Sequence, residues 1–314
     1  MGRAFVFPGQ GAQTIGMGRA LAESFPAARA VFDEVDAALG EAFSALIWEG
    51  SQDELTLTRN AQPALMATSI AAMRALEAEG VSIAAADFVA GHSLGEYSAL
   101  AAAGALSLGD AARLLRLRGE AMQRAVPVGE GAMAALLGLD LAAVREVAQE
   151  AAQGDVCAAA NDNDPAQVVV SGHRGAVERA VEIARGRGAK RAVLLPVSAP
   201  FHCDLMAPAA REMAQALAEV EILAPRVPLV ANVRAAAVSD PAEIRDLLVE
   251  QVTGVVRWRE SVLWMGARGV TEFWEIGAGK ALSGMIRRID REAVTRQVGT
   301  PEEVAAAAGA LADG

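Results

Sequence analysis

A serine between two glycines, a histidine behind a proline and a row of arginines on one helix are the residues in this chain whose types and spacing could carry nucleophilic catalysis. Gly91-His92-Ser93-Leu94-Gly95 follows the apolar run Phe88-Val89-Ala90 and leads into a helix-like stretch from Glu96. The pattern G-x-S-x-G sets a serine on a tight strand-to-helix turn. Its glycines carry no Cβ, so the backbone can bend and neighbouring elements can come close. Ser93 would then stand at the positive end of a helix, beside free N–H groups able to hold an oxyanion. The same five residues also suit a purely structural turn; the strand before and the helix after favour a nucleophile.

A serine nucleophile needs a base, and the chain has three histidines. His92 adjoins Ser93, so its ring should point away and pack beneath the turn. His173 lies in Ser171-Gly172-His173-Arg174, a polar turn expected in solvent. His202 lies in Val197-Ser198-Ala199-Pro200-Phe201-His202-Cys203, where Pro200 forces an irregular backbone of the kind that commonly carries catalysis. By elimination His202 is the base. A cationic site has several candidates, because the helix expected over 109–125 carries Arg113, Arg116, Arg118 and Arg124. Composition does not choose among them, and each suits a solvated helix face equally well. Gly277-Ala278-Gly279-Lys280 lacks the earlier glycine and the final Ser/Thr of a phosphate loop and is set aside.

The elements that must position these residues alternate strand and helix, which predicts an α/β fold with a parallel sheet. Ala4–Phe7 reads as a buried strand broken by Pro8-Gly9-Gln10-Gly11, with helices over 17–24 and 26–39. The spacing of Leu65, Ile70, Met73 and Leu76 predicts a helix over 62–79, with Pro63 in its first turn. From residue 126 the order becomes strand (133–137), helix (141–152), strand (156–160), strand (167–171), helix (176–185), strand (192–196), with Asn161-Asp162-Asn163-Asp164-Pro165 as the turn between the middle strands. This β-α-β-β-α-β order is ferredoxin-like. Residues 126–197 are therefore expected to be a small domain inserted in a larger α/β domain formed by 1–125 and 198–314. Helices over 206–220, 244–252, 260–268 and 280–289, strands over 228–233 and 271–276, and an alanine-rich capping helix complete the large domain.

The chain is 314 residues, 53% hydrophobic and 21% charged, so it has ample material for a core and is not of disordered composition. Its net charge of −11 argues against nucleic acid as a partner and means that an acidic partner must meet a local basic patch. There is no apolar run of the roughly 18 residues that a membrane helix needs. Met1-Gly2-Arg3-Ala4-Phe5-Val6 has neither a signal-peptide layout nor the Ser/Thr of a myristoylation site at Val6. Cys157 and Cys203 show no metal or disulfide spacing, which fits a reduced, cytoplasmic protein without a metal.

Phe7-Pro8-Gly9-Gln10-Gly11-Ala12-Gln13, Gly91-His92-Ser93-Leu94-Gly95-Glu96, Arg118-Gly119, Pro200-Phe201-His202 and Glu275-Ile276-Gly277 occur in one order. Together they resemble the malonyl-CoA:acyl carrier protein transacylases of fatty acid synthesis, from about residue 4 to about residue 298. The resemblance implies a hydrolase-like α/β domain with a ferredoxin-like insertion, in agreement with the chain's own pattern. It implies that Ser93 is malonylated, that His202 takes its proton, and that the N–H groups of Gln10 and Leu94 hold the oxyanion. It selects Arg118 as the clamp on the malonyl carboxylate, because Arg118-Gly119 with Met122 and Gln123 fits the family pattern. It gives the backbone carbonyl of Gln251 the task of orienting His202, although Val255 stands where the family usually has proline. Asp204 offers a conventional acid, but its spacing from His202 is too short. Asn161 and Asn232 match cleft-lining positions, and Phe201 with Leu94 resembles malonyl-selective members, a bulky ring filling the space of an α-methyl group. A basic rim for an acidic carrier protein could come from Lys280, Arg287 and Arg288, or from Arg185, Arg187, Lys190 and Arg191. Malonyl-CoA and a holo-acyl carrier protein are the partners implied, with no bound cofactor and a monomeric enzyme. A freestanding polyketide-pathway acyltransferase would share every one of these residues. A serine hydrolase is disfavoured by Arg118 and the missing triad acid.

Overall fold

The computed structural model describes residues 2–312. Among the described residues ten strands form two sheets: β1 (Gly2–Phe7), β2 (Phe88–Gly91), β3 (Gly131–Leu137), β4 (Cys157–Asp164), β5 (Gln167–His173), β6 (Arg191–Leu194), β7 (Leu229–Ala231), β8 (Ala236–Val238), β9 (Val270–Ile276) and β10 (Val294–Val298). The larger sheet has the order β10-β9-β1-β2-β7-β8 and is parallel except for the β7–β8 pair. Its central strand reads Ala4-Phe5-Val6-Phe7, all fully buried, because helices cover both faces of a parallel sheet and each face must be apolar. The loops that follow β1, β2, β7 and β9 gather at the carboxyl edge of this sheet. That edge is where open α/β sheets place their sites.

The smaller sheet has the order β4-β5-β3-β6, entirely antiparallel, with the helices Leu141–Ala152 and Arg174–Gly186 packed over a separate apolar cluster. This is the ferredoxin-like βαββαβ arrangement, and its strands all fall within residues 131–194. Among the described residues, no helix is long and apolar enough to cross a membrane.

Three features depart from the sequence pattern. Asn161-Asp162-Asn163-Asp164 is not a turn but the second half of β4. The stretch is polar, yet the large domain satisfies it: Val256 N–H donates to Ala160 O at 2.9 Å and Asp162 N–H to Val256 O at 2.9 Å. The long helix begins at Thr58, so Pro63 lies inside it; Asn60 and Ala61 N–H groups already close a turn on Leu57 O, each at 2.8 Å. The closing segment is β10, a regular edge strand paired with β9, and β8 and the short helices Phe43–Glu49 and Gln52–Thr56 carry no strong period of their own.

Candidate active site

Strand β2 stops at Gly91 and the helix Gly95–Ala102 starts at once, which leaves Ser93 at the apex with a left-handed φ of 52°. Both flanking glycines are required. A Cβ on Gly91 would lie 1.9 Å from the carbonyl carbon of Gly95, and one on Gly95 would lie 2.2 Å from Phe7 O. The turn is closed by Gly95 N–H on His92 O at 3.0 Å and tied to the end of β1 by His92 N–H on Phe7 O at 3.1 Å. Asn232, just after β7, braces it from below. Its Oδ1 accepts Ser93 N–H at 2.8 Å and its Nδ2 donates to Gly91 O at 2.7 Å.

His202 is the second non-glycine residue of the site in the left-handed region, with φ 58°. Its Nε2 lies 2.8 Å from Ser93 Oγ and its Nδ1 lies 2.9 Å from Gln251 O. A carbonyl can only accept, so Nδ1 carries the proton and the Nε2 lone pair faces the serine hydroxyl. Burial, reinforced by the positive charge of Arg118, pushes the imidazole down to about 3, so it is neutral and ready to accept a proton at neutral pH. Among the described residues no acid completes a triad: Asp204 is exposed on the short turn Asp204–Met206. His92 turns away, its Nε2 2.9 Å from Asn163 Oδ1 and its ring 5.9 Å from that of Trp258. His173 is half-exposed and its Nδ1 accepts Val156 N–H at 2.9 Å.

The choice among arginines is made by their partners. Arg113 pairs with Asp110, Arg116 with Glu41, and Arg124 with Glu120 and Glu212. Arg118 is 1% exposed and is held only by neutral groups: Nη1 donates to Gln62 Oε1 at 2.7 Å, and Nη2 to Gln251 Oε1 at 2.8 Å and Ser93 Oγ at 3.1 Å. Its Nε has no partner among the described residues, and the Tyr97 ring lies 5.8 Å below the guanidinium carbon. A buried guanidinium with spare donors, and no carboxylate on it, is a site made for an anion.

The remaining expected residues divide. Leu94 is buried at the helix start and Gln10 lies on the loop after β1; neither backbone N–H has a partner among the described residues. Both are therefore free to donate. Phe201 is half-buried and packs against the main core and the small sheet alike. Asn161 is buried where β4 meets Val256. Asn232 is fully enclosed and serves the turn rather than an open cleft wall. The basic residues form two groups. Lys280, Arg287 and Arg288 belong to the helix Ala281–Ile289 and its N-cap, beside β4, with Arg288 already bonded to Asp164 at 2.7 Å. Lys190 and Arg191 are exposed at β6, the opposite edge of the small sheet. Two cavities of about 440 and 390 Å³ lie along the helix Leu141–Ala152, and neither is lined by Ser93, His202 or Arg118.

Several residues carried no sequence signal of their own. Gln62 and Thr58 connect Arg118 to the Gln10 side chain: Gln62 Nε2 donates to Thr58 Oγ1 at 3.0 Å, and Thr58 Oγ1 to Gln10 Oε1 at 3.0 Å. The side chain of Gln251 bonds Ser93 O at 2.9 Å, in addition to the contact of its carbonyl with His202. Glu96, buried in the first turn after the serine, accepts from Asn232 N–H at 2.8 Å and from Gln251 Nε2. Burial pushes its carboxyl up to about 8, opposed by those two donors and the Arg118 charge. Only its place in Gly91–Glu96 hinted at any of this.

The fold and this cluster define an α/β acyltransferase that works through serine. Residues 4–297 match the family model described as Acyl transferase domain. The chain is 49% identical over 302 residues to a malonyl CoA-acyl carrier protein transacylase of Bacillus subtilis, covering 96% of this chain and 94% of that one. An acyl-carrier-protein-S-malonyltransferase from Bartonella henselae superposes with a TM-score of 0.97 at 58% identity, covering 99% and 100% of the two chains. A malonyl-transacylase, solved in complex with a holo type II polyketide acyl-carrier protein, superposes with a TM-score of 0.96 at 41% identity, over 99% and 100%. The chain belongs to the malonyl-CoA:acyl carrier protein transacylase family.

Proposed function

We propose that this protein moves malonyl from malonyl-CoA to the phosphopantetheine thiol of an acyl carrier protein through a malonyl-serine, supplying fatty acid biosynthesis. The observation that carries this reading is Arg118, a buried guanidinium without a carboxylate partner, 3.1 Å from the nucleophile. A malonyl carboxylate would complete its hydrogen bonding in a bidentate pair and so carry the adjacent thioester carbonyl to Ser93.

In the first half-reaction Ser93 Oγ–H gives its proton to His202 Nε2 as Oγ adds to the thioester carbonyl. The oxyanion is held by the N–H groups of Gln10 and Leu94. Collapse expels the thiolate of coenzyme A, which takes the proton from His202 Nε2. In the second half-reaction the carrier thiol gives His202 its proton and attacks the acyl-serine; Ser93 leaves and recovers that proton. A thiolate is a good leaving group, so the imidazolium is short-lived and the Gln251 carbonyl suffices where an amide hydrolase uses a carboxylate. Every atom of both steps comes from the two thiols, the acyl group and the chain itself, and neither a metal nor a bound cofactor is needed. Phe201 beside His202 would narrow the space for an α-methyl group, a preference worth about 1–3 kcal/mol.

The same proposal makes residues 126–197 an inserted domain and the enzyme a cytoplasmic monomer. Lys190, Arg191, Lys280, Arg287 and Arg288 are its candidates for meeting an acidic carrier, the two groups flanking the small sheet from opposite edges. A second reading, service to a polyketide carrier, has one specific support, the likeness to the malonyl-transacylase solved with a type II polyketide acyl-carrier protein. The clamp is tested with Arg118→Ala. Its kcat/KM for malonyl-CoA should fall at least about 100-fold, while that for acetyl-CoA falls far less. Equal losses for the two donors would contradict it.

A further inference from the structure

Gln251 presents two faces to the site, and the direction of its side-chain amide is decided by what surrounds it. The amide nitrogen has three acceptors in reach, Ser93 O at 2.9 Å, a carboxylate oxygen of Glu96 and, more distant at 3.4 Å, Asn232 Oδ1. The amide oxygen is thereby left facing Arg118 Nη2, 2.8 Å away. Reversed, the amide would set its NH2 against a guanidinium and its oxygen against a carboxylate, two repulsive contacts in a dry site. The other oxygen of Glu96 accepts Asn232 N–H at 2.8 Å, and Asn232 holds the serine turn. Burial raises the Glu96 carboxyl to about 8, but each of its two oxygens accepts a donor, which is the arrangement of a carboxylate, and it is in this ionised form that Glu96 offsets Arg118. It does so at one remove, because no carboxylate among the described residues sits on the guanidinium itself.

We propose that Glu96 is the positioning residue for the carboxylate site: it fixes the Gln251 amide so that its oxygen aims Arg118, and it keeps the compensating charge one amide away from the guanidinium. A carboxylate placed directly on Arg118 would saturate it and make a substrate carboxylate compete for the same donors. With no carboxylate nearby, the cation would be buried without an offset. The relay Glu96–Gln251–Arg118 avoids both. Because the backbone carbonyl of Gln251 also holds His202, the same residue ties acyl selection to the orientation of the base.

The inference rests on Arg118 as the clamp. Its test is kcat/KM for acyl-Ser93 formation with malonyl-CoA and with acetyl-CoA, in the wild type, E96Q, E96D and Arg118→Ala, with thermal unfolding of each. E96Q offers one acceptor where two donors converge, so the Gln251 amide must lose a bond or turn. The malonyl-to-acetyl ratio should fall about tenfold or more, chiefly through KM for malonyl-CoA. E96D keeps the charge with a shorter reach and should fall between E96Q and the wild type. If E96Q does not fold, the ratio in E96D decides alone. An unchanged ratio in the folded variants, with Arg118→Ala still losing malonyl preference, overturns the role of Glu96. A wild type that does not distinguish the two donors, or Arg118→Ala with an unchanged ratio, overturns the clamp itself.

Discussion

Ser93 and His202 both hold a left-handed backbone that L-residues usually avoid, at a cost of about 1–2 kcal/mol each. The strain persists because each residue is fixed at two points, Ser93 by Asn232 at its backbone N–H and by His202 at its hydroxyl, and the His202 ring by Gln251 O and Ser93. What this secures is a neutral imidazole with its lone pair on the serine. A base works only when deprotonated, so activity is lost as pH falls through its folded value. That value lies near 3 rather than at the ordinary 6.5. The kcat/KM for malonyl-CoA should therefore be flat from about pH 5 to pH 7, with no acid limb near 6.5. A limb centred there would show that burial does not depress His202. The pairing of Ser93 with His202 was legible in the sequence, one residue from its glycines and the other by elimination. Arg118 was not legible from composition alone, because four arginines share its helix and their carboxylate partners lie elsewhere in the chain.

The strand-turn-helix element around the serine is fixed by close approach of backbones. The Gly91 Cα faces the Gly95 carbonyl, and the Gly95 Cα faces Phe7 O, so the element cannot widen without pulling β2 away from β1. Gly91→Ala places a methyl group where no flexible side chain can yield. It should cost about 3 kcal/mol or more in denaturant unfolding and abolish acyl-enzyme formation. An alanine variant with wild-type stability would mean that the turn is looser than drawn. G-x-S-x-G announced this element because its constraint is local. Strand β4 escaped notice beyond Ala160 for the opposite reason. Asn161-Asp162-Asn163-Asp164 has turn-like composition. It is extended only because Val256, His92, Arg259 and Arg288, all distant in sequence, satisfy it.

That same stretch joins the two parts of the molecule. Asp162, fully buried, takes Arg259 Nη2 at 2.9 Å and Nε at 3.0 Å, and Asn163 reaches His92 next to Ser93. The small sheet is thus registered against the serine turn by polar contacts, alongside Phe201, which packs on both the main core and the small sheet, while the cluster under the small sheet's helices stays separate. Removing one partner of a buried ion pair leaves the other charge without compensation. Arg259→Met should therefore cost about 2–3 kcal/mol, less than for a fully enclosed pair because Arg259 is 29% exposed. It should also speed amide exchange in Cys157–Asp164. Unchanged exchange there would show that the latch contributes nothing to docking. The two-part architecture was legible from the change in strand and helix order at residue 126, whereas the latch was not, because sequence order does not say which arginine meets which aspartate.

The central claim is a malonyl group carried on Ser93 between two thiols. Intact-protein mass after mixing with malonyl-CoA, and again after adding holo-acyl carrier protein, tests it most directly. The wild type should gain one malonyl increment that then moves to the carrier, and Ser93→Ala should gain none. An increment that decays in buffer at a catalytic rate, or one retained by Ser93→Ala, would contradict it.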